Sequence, residues 1–146
     1  MFLKELDNKE AIAFINLVNE FANIDHVLAR EEKRLIKDYL KELNLDSSKI
    51  GAVSYDEALE ILKNSKERIK RIVYFELVGL ALVDGNYGEV EVDYLDKIAT
   101  DLDINRSQKI AFANYFYNFK DIHDFSVIET ESKELDNLKR QAEALL

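Results

Sequence analysis

Ala81-Leu82-Val83-Asp84-Gly85-Asn86-Tyr87-Gly88-Glu89-Val90-Glu91 closes one long apolar run and opens another segment of helical periodicity, and its reading decides the fold. Asp84, Gly85, Asn86 and Gly88 supply turn chemistry, and the acids that follow suit the positive end of a new helix. A copy of this pattern lies 59 residues upstream: Asp25 on Asp84 puts Ala22 on Ala81, Glu32 on Glu91, Ile36 on Leu95, Tyr39 on Ile98, Leu43 on Leu102 and Leu45 on Ile104, without a gap. Phe14, Ile15, Val18 and Phe21 fall on Val73, Tyr74, Leu77 and Leu80, so both helices of each unit take part. The pattern predicts two helix-turn-helix units, residues 8–45 and 66–104, related by an approximate twofold, with further helices over 106–145.

Composition agrees with an all-α reading: no proline and only 4 glycines in 146 residues suit long helices and not a fold full of tight β-turns. The expectation is a single-domain bundle of about seven helices. With 29 acidic against 20 basic residues the net charge is -9, which disfavours nucleic-acid phosphates and anionic membranes and favours cations or basic partners. The absence of cysteine excludes disulfides, thiolate zinc sites and cysteine nucleophiles. Neither a leader-like N-terminus nor an apolar run long enough to span a bilayer is visible, so a cytoplasmic location is expected.

Local signals mark the helices. Asp7-Asn8-Lys9-Glu10, Ser54-Tyr55-Asp56-Glu57 and Asn105-Arg106-Ser107-Gln108 have capping-box spacing. Ser65 is placed to cap a helix that begins with the cations Lys66, Arg68, Lys70 and Arg71 and becomes almost wholly apolar from Ile72, as a central bundle helix does. Cations there oppose the helix dipole, so they lie in solvent or face acids; the solvated arrangement is expected. Ile110, Phe112, Tyr115, Phe116, Tyr117 and Phe119 form an aromatic run read mainly as core, with tyrosines to spare for a partner groove. A break near Asp124 precedes a last helix opened by Ser126-Val127-Ile128-Glu129, with a stripe through Leu135, Leu138, Ala142 and Leu145.

Glu91 stands four residues before Leu95 and seven before Ile98, on the buried side of its first turn, and Glu32 stands likewise before Ile36 and Tyr39. Helical side chains lean back toward the N-terminus, which aims each carboxylate toward Asp84 or Asp25. Two acceptor-only groups in a partly desolvated corner need donors, a cation or a proton. Backbone N–H groups of the turn can supply the donors, making a structural clasp. The functional alternative is a hard-cation site for Ca²⁺ or Mg²⁺ on Asp84, Asn86 and Glu91, with a weaker copy at Asp25 and Glu32, where Arg30 replaces Glu89. It is not an EF-hand: counted from Asp84, the required glycine is Glu89 and the bidentate glutamate is Leu95.

Ala22-Asn23-Ile24-Asp25 with Arg30-Glu31-Glu32, and Ala81-Leu82-Val83-Asp84-Gly85 with Glu89-Val90-Glu91, resemble the Asp-Gly turn and following glutamate of the TerB-like tellurite-resistance family, over roughly residues 11–119. A related module forms the N-terminal part of a membrane-anchored J-domain co-chaperone. The resemblance implies an all-helical bundle with an acidic, metal-associated surface, in a context of stress and tellurite resistance or envelope-associated complexes, and carries over to Asp25, Glu32, Asp84 and Glu91. The first turn has His26 where the family has glycine, and Ala29 and Gly88 stand where a serine or threonine cap is common. No His-Pro-Asp tripeptide is present, so J-domain activity does not transfer.

No phosphate loop, dinucleotide fingerprint, nucleophile elbow or zinc-protease motif occurs, and His26 and His123 lack companions for acid-base work. The expected function is a non-catalytic module that binds a basic or envelope-associated protein through its acidic turn; the alternative is a dedicated metal-ion sensor.

Overall fold

A computed structural model describes residues 2–23, 30–82, 89–125 and 132–146, without the side chains of 30–32, 82, 118–125 and 132–138. Among these residues there is no strand; the elements are α1 (Asn8–Ala22), α2 (Arg30–Glu42), α3 (Tyr55–Lys63), α4 (Glu67–Leu82), α5 (Glu89–Asp101), α6 (Arg106–Phe125) and α7 (Ser132–Leu145), with 3-10 turns at Leu3–Glu5 and Ser47–Lys49. The helices gather into two compact units, Met1–Ile104 and Asn105–Leu146. No described helix is long and apolar enough to cross a membrane.

In the first unit α1 starts where its capping box dictates: Glu10 N–H donates to Asp7 Oδ1 at 2.8 Å and Asp7 N–H to Glu10 Oε1 at 3.0 Å. Ala11, Ala13, Phe14, Ile15, Leu17, Val18 and Phe21 are all buried, a face too wide for a surface helix, and α1 packs on both α2 and α3. The long helix α4 buries Ile69, Ile72, Val73, Tyr74, Phe75, Leu77, Val78, Leu80 and Ala81. Each fully buried large side chain contributes about 1.5–3 kcal/mol, so these two helices carry most of the core. Among its described side chains the strongly amphipathic α2 buries Ile36 and Tyr39 and leaves Leu35 and Leu40 half-buried, as is Leu43 just beyond it.

Helix boundaries and helix ends recur at one spacing. Asn8, where α1 begins, lies 59 before Glu67, where α4 begins. Both α2 and α5 end on a left-handed residue that is not glycine, Asn44 (φ 56°) and Asp103 (φ 58°), again 59 apart. The bonds around them match as well: Leu45 N–H to Leu40 O at 2.9 Å and Asn44 N–H to Lys41 O at 3.2 Å, against Ile104 N–H to Ala99 O at 2.8 Å and Asp103 N–H to Thr100 O at 3.3 Å. This is the Schellman arrangement, in which the two residues beyond the helix satisfy its last carbonyls.

The basic start of α4 corrects the solvated expectation. Arg68 grips Glu5 through Nε at 2.7 Å and Nη2 at 2.9 Å, Lys70 lies 3.7 Å from Asp103, and Arg71 lies 3.6 Å from Glu67. Acids brought by the N-terminal turn, the end of α5 and the helix's own first turn offset the unfavourable dipole. Ser65, expected to open α4, turns its hydroxyl back to donate to Ile61 O of α3 at 3.4 Å.

The second unit packs α6 on α7. Asn105 and Gln108 form both bonds of their box, at 3.0 and 2.9 Å. The aromatic run divides: Phe112 and Tyr115 are buried, whereas Ile110 and Tyr117 are 52% and 55% exposed, so part of the expected core is surface. The expected opening at Ser126–Glu129 lies outside the described residues; the described part of α7 begins at Ser132, and Ala142 on its stripe is fully buried.

Candidate functional site

Of the acidic constellation, Glu91 is the member whose side chain is described. It occupies the first turn of α5, is 7% exposed, and shares the buried face with Leu95, Ile98 and Ala99. Its neighbours Glu89, Val90 and Asp93 point to solvent. The four- and seven-residue spacing produces this division, because those intervals return to one side of a helix. Oε2 of Glu91 is shielded from solvent altogether. Asp84, Asn86 and Asp25 lie outside the described residues, and Glu32 is described only as part of the α2 backbone. Among the described residues no group of three or more His, Asp or Glu side chains could hold a metal. What fits a hard cation here is the donor type: a carboxylate oxygen held in a desolvated position at the start of a helix.

Two further buried polar groups lie in the same unit. Glu76, 7% exposed, is the lone acid in the apolar stretch of α4, and Tyr39 of α2 has its hydroxyl 3.3 Å from both Glu76 O and Glu76 Oε2. Those distances exceed the usual range for O–H···O bonds, so the contact is weak. Burial, followed by the field of Glu76, pushes the Tyr39 hydroxyl well above its ordinary pKa, and it stays protonated. Asn16 of α1 is the more fully engaged group: its Nδ2 donates to Ile12 O at 2.8 Å and Lys49 O at 3.0 Å, and its Oδ1 accepts from Gly51 N–H at 2.6 Å. It therefore fastens the Asn44–Val53 linker to the central helix.

An aromatic cluster joins α1, α3 and α5. The Tyr94 ring lies tilted against Phe21, centroids 5.3 Å apart, and against Tyr55 at 5.6 Å, and Lys97 lies 5.4 Å from the Tyr55 ring centroid. The hydroxyls of Tyr55 and Tyr94 are buried without a hydrogen-bond partner among the described residues. Burial raises both pKa values, with Asp101, Asp56 and Glu20 adding to Tyr55, and Tyr55 and Glu20 adding to Tyr94.

Sequence reasoning located Glu91 by its place on an apolar stripe and passed over Asn16 and Glu76. Both stood in view as single polar residues inside otherwise apolar faces. Comparison with known proteins adds nothing to this geometry: no family model, no curated protein and no solved structure matches the chain.

Proposed function

We propose that this chain is a non-catalytic helical module of TerB-like architecture, built from two repeated helical pairs, whose acidic turn surface around Asp84 and Glu91 binds a basic partner protein together with Ca²⁺ or Mg²⁺. The observation that carries this reading is the burial of Glu91 at the first turn of α5, on a face otherwise apolar. A carboxylate is costly to desolvate and is retained in such a place where it serves a purpose that leucine would not. Support for the repeat comes from the 59-residue spacing between the starts of α1 and α4 and between the two left-handed helix ends. The acids between Asp84 and Asp103 number seven against one lysine, which gives this region a field attractive to cations.

The test is a set of thermal melts with EDTA, Ca²⁺, Mg²⁺ or Zn²⁺, on the wild type and on Asp84→Asn combined with Glu91→Gln. A divalent ion at about 100 times its Kd stabilises the folded state by about 2.7 kcal/mol, a shift of several degrees that the double variant should lose. A metal-dependent change in shape, with no basic partner captured, would favour the ion-sensor alternative. A double variant that melts far lower even in EDTA would reduce the motif to a structural clasp.

A further inference from the structure

The N-terminal turn Leu3–Glu5 is held differently from the rest of the first unit. Leu3 is fully buried, Phe2 is 5% exposed and Leu6 is 9% exposed, and the turn packs on both α2 and α4. Phe2 meets the Phe75 ring edge-on at 6.4 Å, Arg68 lies 5.9 Å from the Phe2 ring centroid, and the same guanidinium forks onto the Glu5 carboxylate. The turn's own main-chain bonds close on itself, Glu5 N–H to Phe2 O and Leu6 N–H to Leu3 O, both at 3.1 Å. Its anchorage is thus a pattern of side chains read by a groove, as a short peptide is read by a receptor. Arg68 recognises the aromatic ring and the acid at once, which is the double capacity of a planar guanidinium.

A comparison within the chain sharpens the point. Leu3 lies 59 residues before Leu62, the buried residue at the end of α3. The C-terminal part of α3 precedes α4 as the N-terminal turn precedes α1, and α3 packs on α1 and α5 as the turn packs on α4 and α2. The α3 cover has nine residues and buries Ala58, Leu59 and Leu62, whereas the N-terminal cover is a three-residue turn. Where Arg68 clasps Glu5, the corresponding residues Lys9 and Asn64 line a cleft of about 350 Å³. Leu6 is in extended conformation (φ −76°, ψ 136°) directly before the Asp7 cap, so the segment can leave without disturbing the start of α1.

We propose that Phe2–Leu6 is an exchangeable strap, an intramolecular ligand occupying a docking groove between α2 and α4 that takes, in its place, a partner peptide of the same chemistry. That peptide carries an aromatic residue followed by leucine, an acid three positions after the aromatic, and an aliphatic residue next to the acid. Tethering gives the strap an effective concentration of order mM, so the groove is closed until a tighter or more concentrated partner arrives. This goes beyond the acidic turn site and does not depend on it.

The probe is a fluorescein-labelled peptide of residues 1–7, titrated by anisotropy into the full chain. Glu5→Arg sets two cations against each other and releases the strap at an exposed ion pair; Phe2→Ala with Leu3→Ser releases it by removing the apolar anchors. The variant without the apolar anchors should bind the peptide at least about ten-fold more tightly than the wild type, and Glu5→Arg more tightly by a smaller factor, because its ion pair is exposed. Glu5→Arg combined with Arg68→Glu restores the clasp with reversed charge and should return amide protection at residue 5 and Leu6 to the wild-type level. Open variants that keep full helicity and remain monomeric yet fail to bind the peptide overturn the proposal. So does a dimer that excludes the peptide, which would make a second copy the occupant, and so does a Glu5→Arg chain whose α2 and α4 amides all lose protection, which would make the segment ordinary core.

Discussion

At the scale of single residues, the buried polar groups divide into those that fasten the chain and those whose polarity is nearly idle. Asn16 uses both its amide donors and its carbonyl oxygen on three backbone groups from two segments, so Asn16→Ala leaves Lys49 O and Gly51 N–H without their partner. The expected loss is about 2 kcal/mol, measured by urea titration, with protease sensitivity appearing in the Asn44–Val53 linker. Tyr39 is the contrasting case, because its ring packs edge-on against Phe14 at 5.2 Å while its hydroxyl contacts at 3.3 Å are long. Tyr39→Phe should therefore cost less than about 1.5 kcal/mol. Removing the ring in Tyr39→Ala should cost about 3–5 kcal/mol. If the phenylalanine variant were as damaged as the alanine variant, the hydroxyl would hold far more than its geometry suggests. Hydropathy spacing revealed Tyr39 as core, but no spacing rule reveals which backbone carbonyl a buried Asn16 will meet 33 residues away.

At the scale of elements, helix ends and the strap are where local chemistry is most exposed to test. Asn44 and Asp103 occupy the left-handed position that ends α2 and α5, a conformation asparagine and aspartate tolerate and β-branched residues do not. Asn44→Val and Asp103→Val should each lower stability by about 1–2 kcal/mol in thermal melts, and unequal losses would argue against equivalence of the two ends. The strap has a pH dependence of fixed sign. The Arg68 guanidinium holds the Glu5 carboxyl below its ordinary value of 4.5. A depressed folded-state pKa means that the stabilisation is fully present above about pH 4.5 and is lost as pH falls through the lowered value. Amide protection at Glu5 and Leu6, relative to intrinsic exchange, should fall over that acid range, and Glu5→Gln should remove the step. Because the pair is solvent-exposed, its contribution is small, and the local readout is more telling than the melting temperature. Capping boxes at Asp7 and Asn105 were legible because they involve neighbours three residues apart; the fate of the basic turn was not, because Glu5 and Asp103 come from distant parts of the chain.

At the scale of the whole molecule, a net charge of -9 sets the long-range field. Association with a lysine-rich peptide should slow several-fold as ionic strength rises from about 0.01 M to about 0.15 M, because the screening length falls from about 30 Å to about 8 Å. Asp84→Asn with Glu91→Gln should weaken that association if the acidic turn is the docking point. An unchanged affinity would place the basic partner elsewhere on the surface.

The amino-acid sequence by itself determined the helical class, the starts of α1, α3 and α6, and the buried sides of α1, α4 and α5, since these follow from spacing, capping pairs and the absence of proline within a few residues of one another. Spacing alone also puts Glu91 on the buried stripe of α5. Only the tertiary structure decided that Phe2, Leu3 and Leu6 are buried, that Arg68, Lys70 and Arg71 of α4 meet acids, and that Asn16 ties down the linker. Each of those depends on groups brought together from far along the chain, and local periodicity carries no information about which distant surface will cover a given side chain.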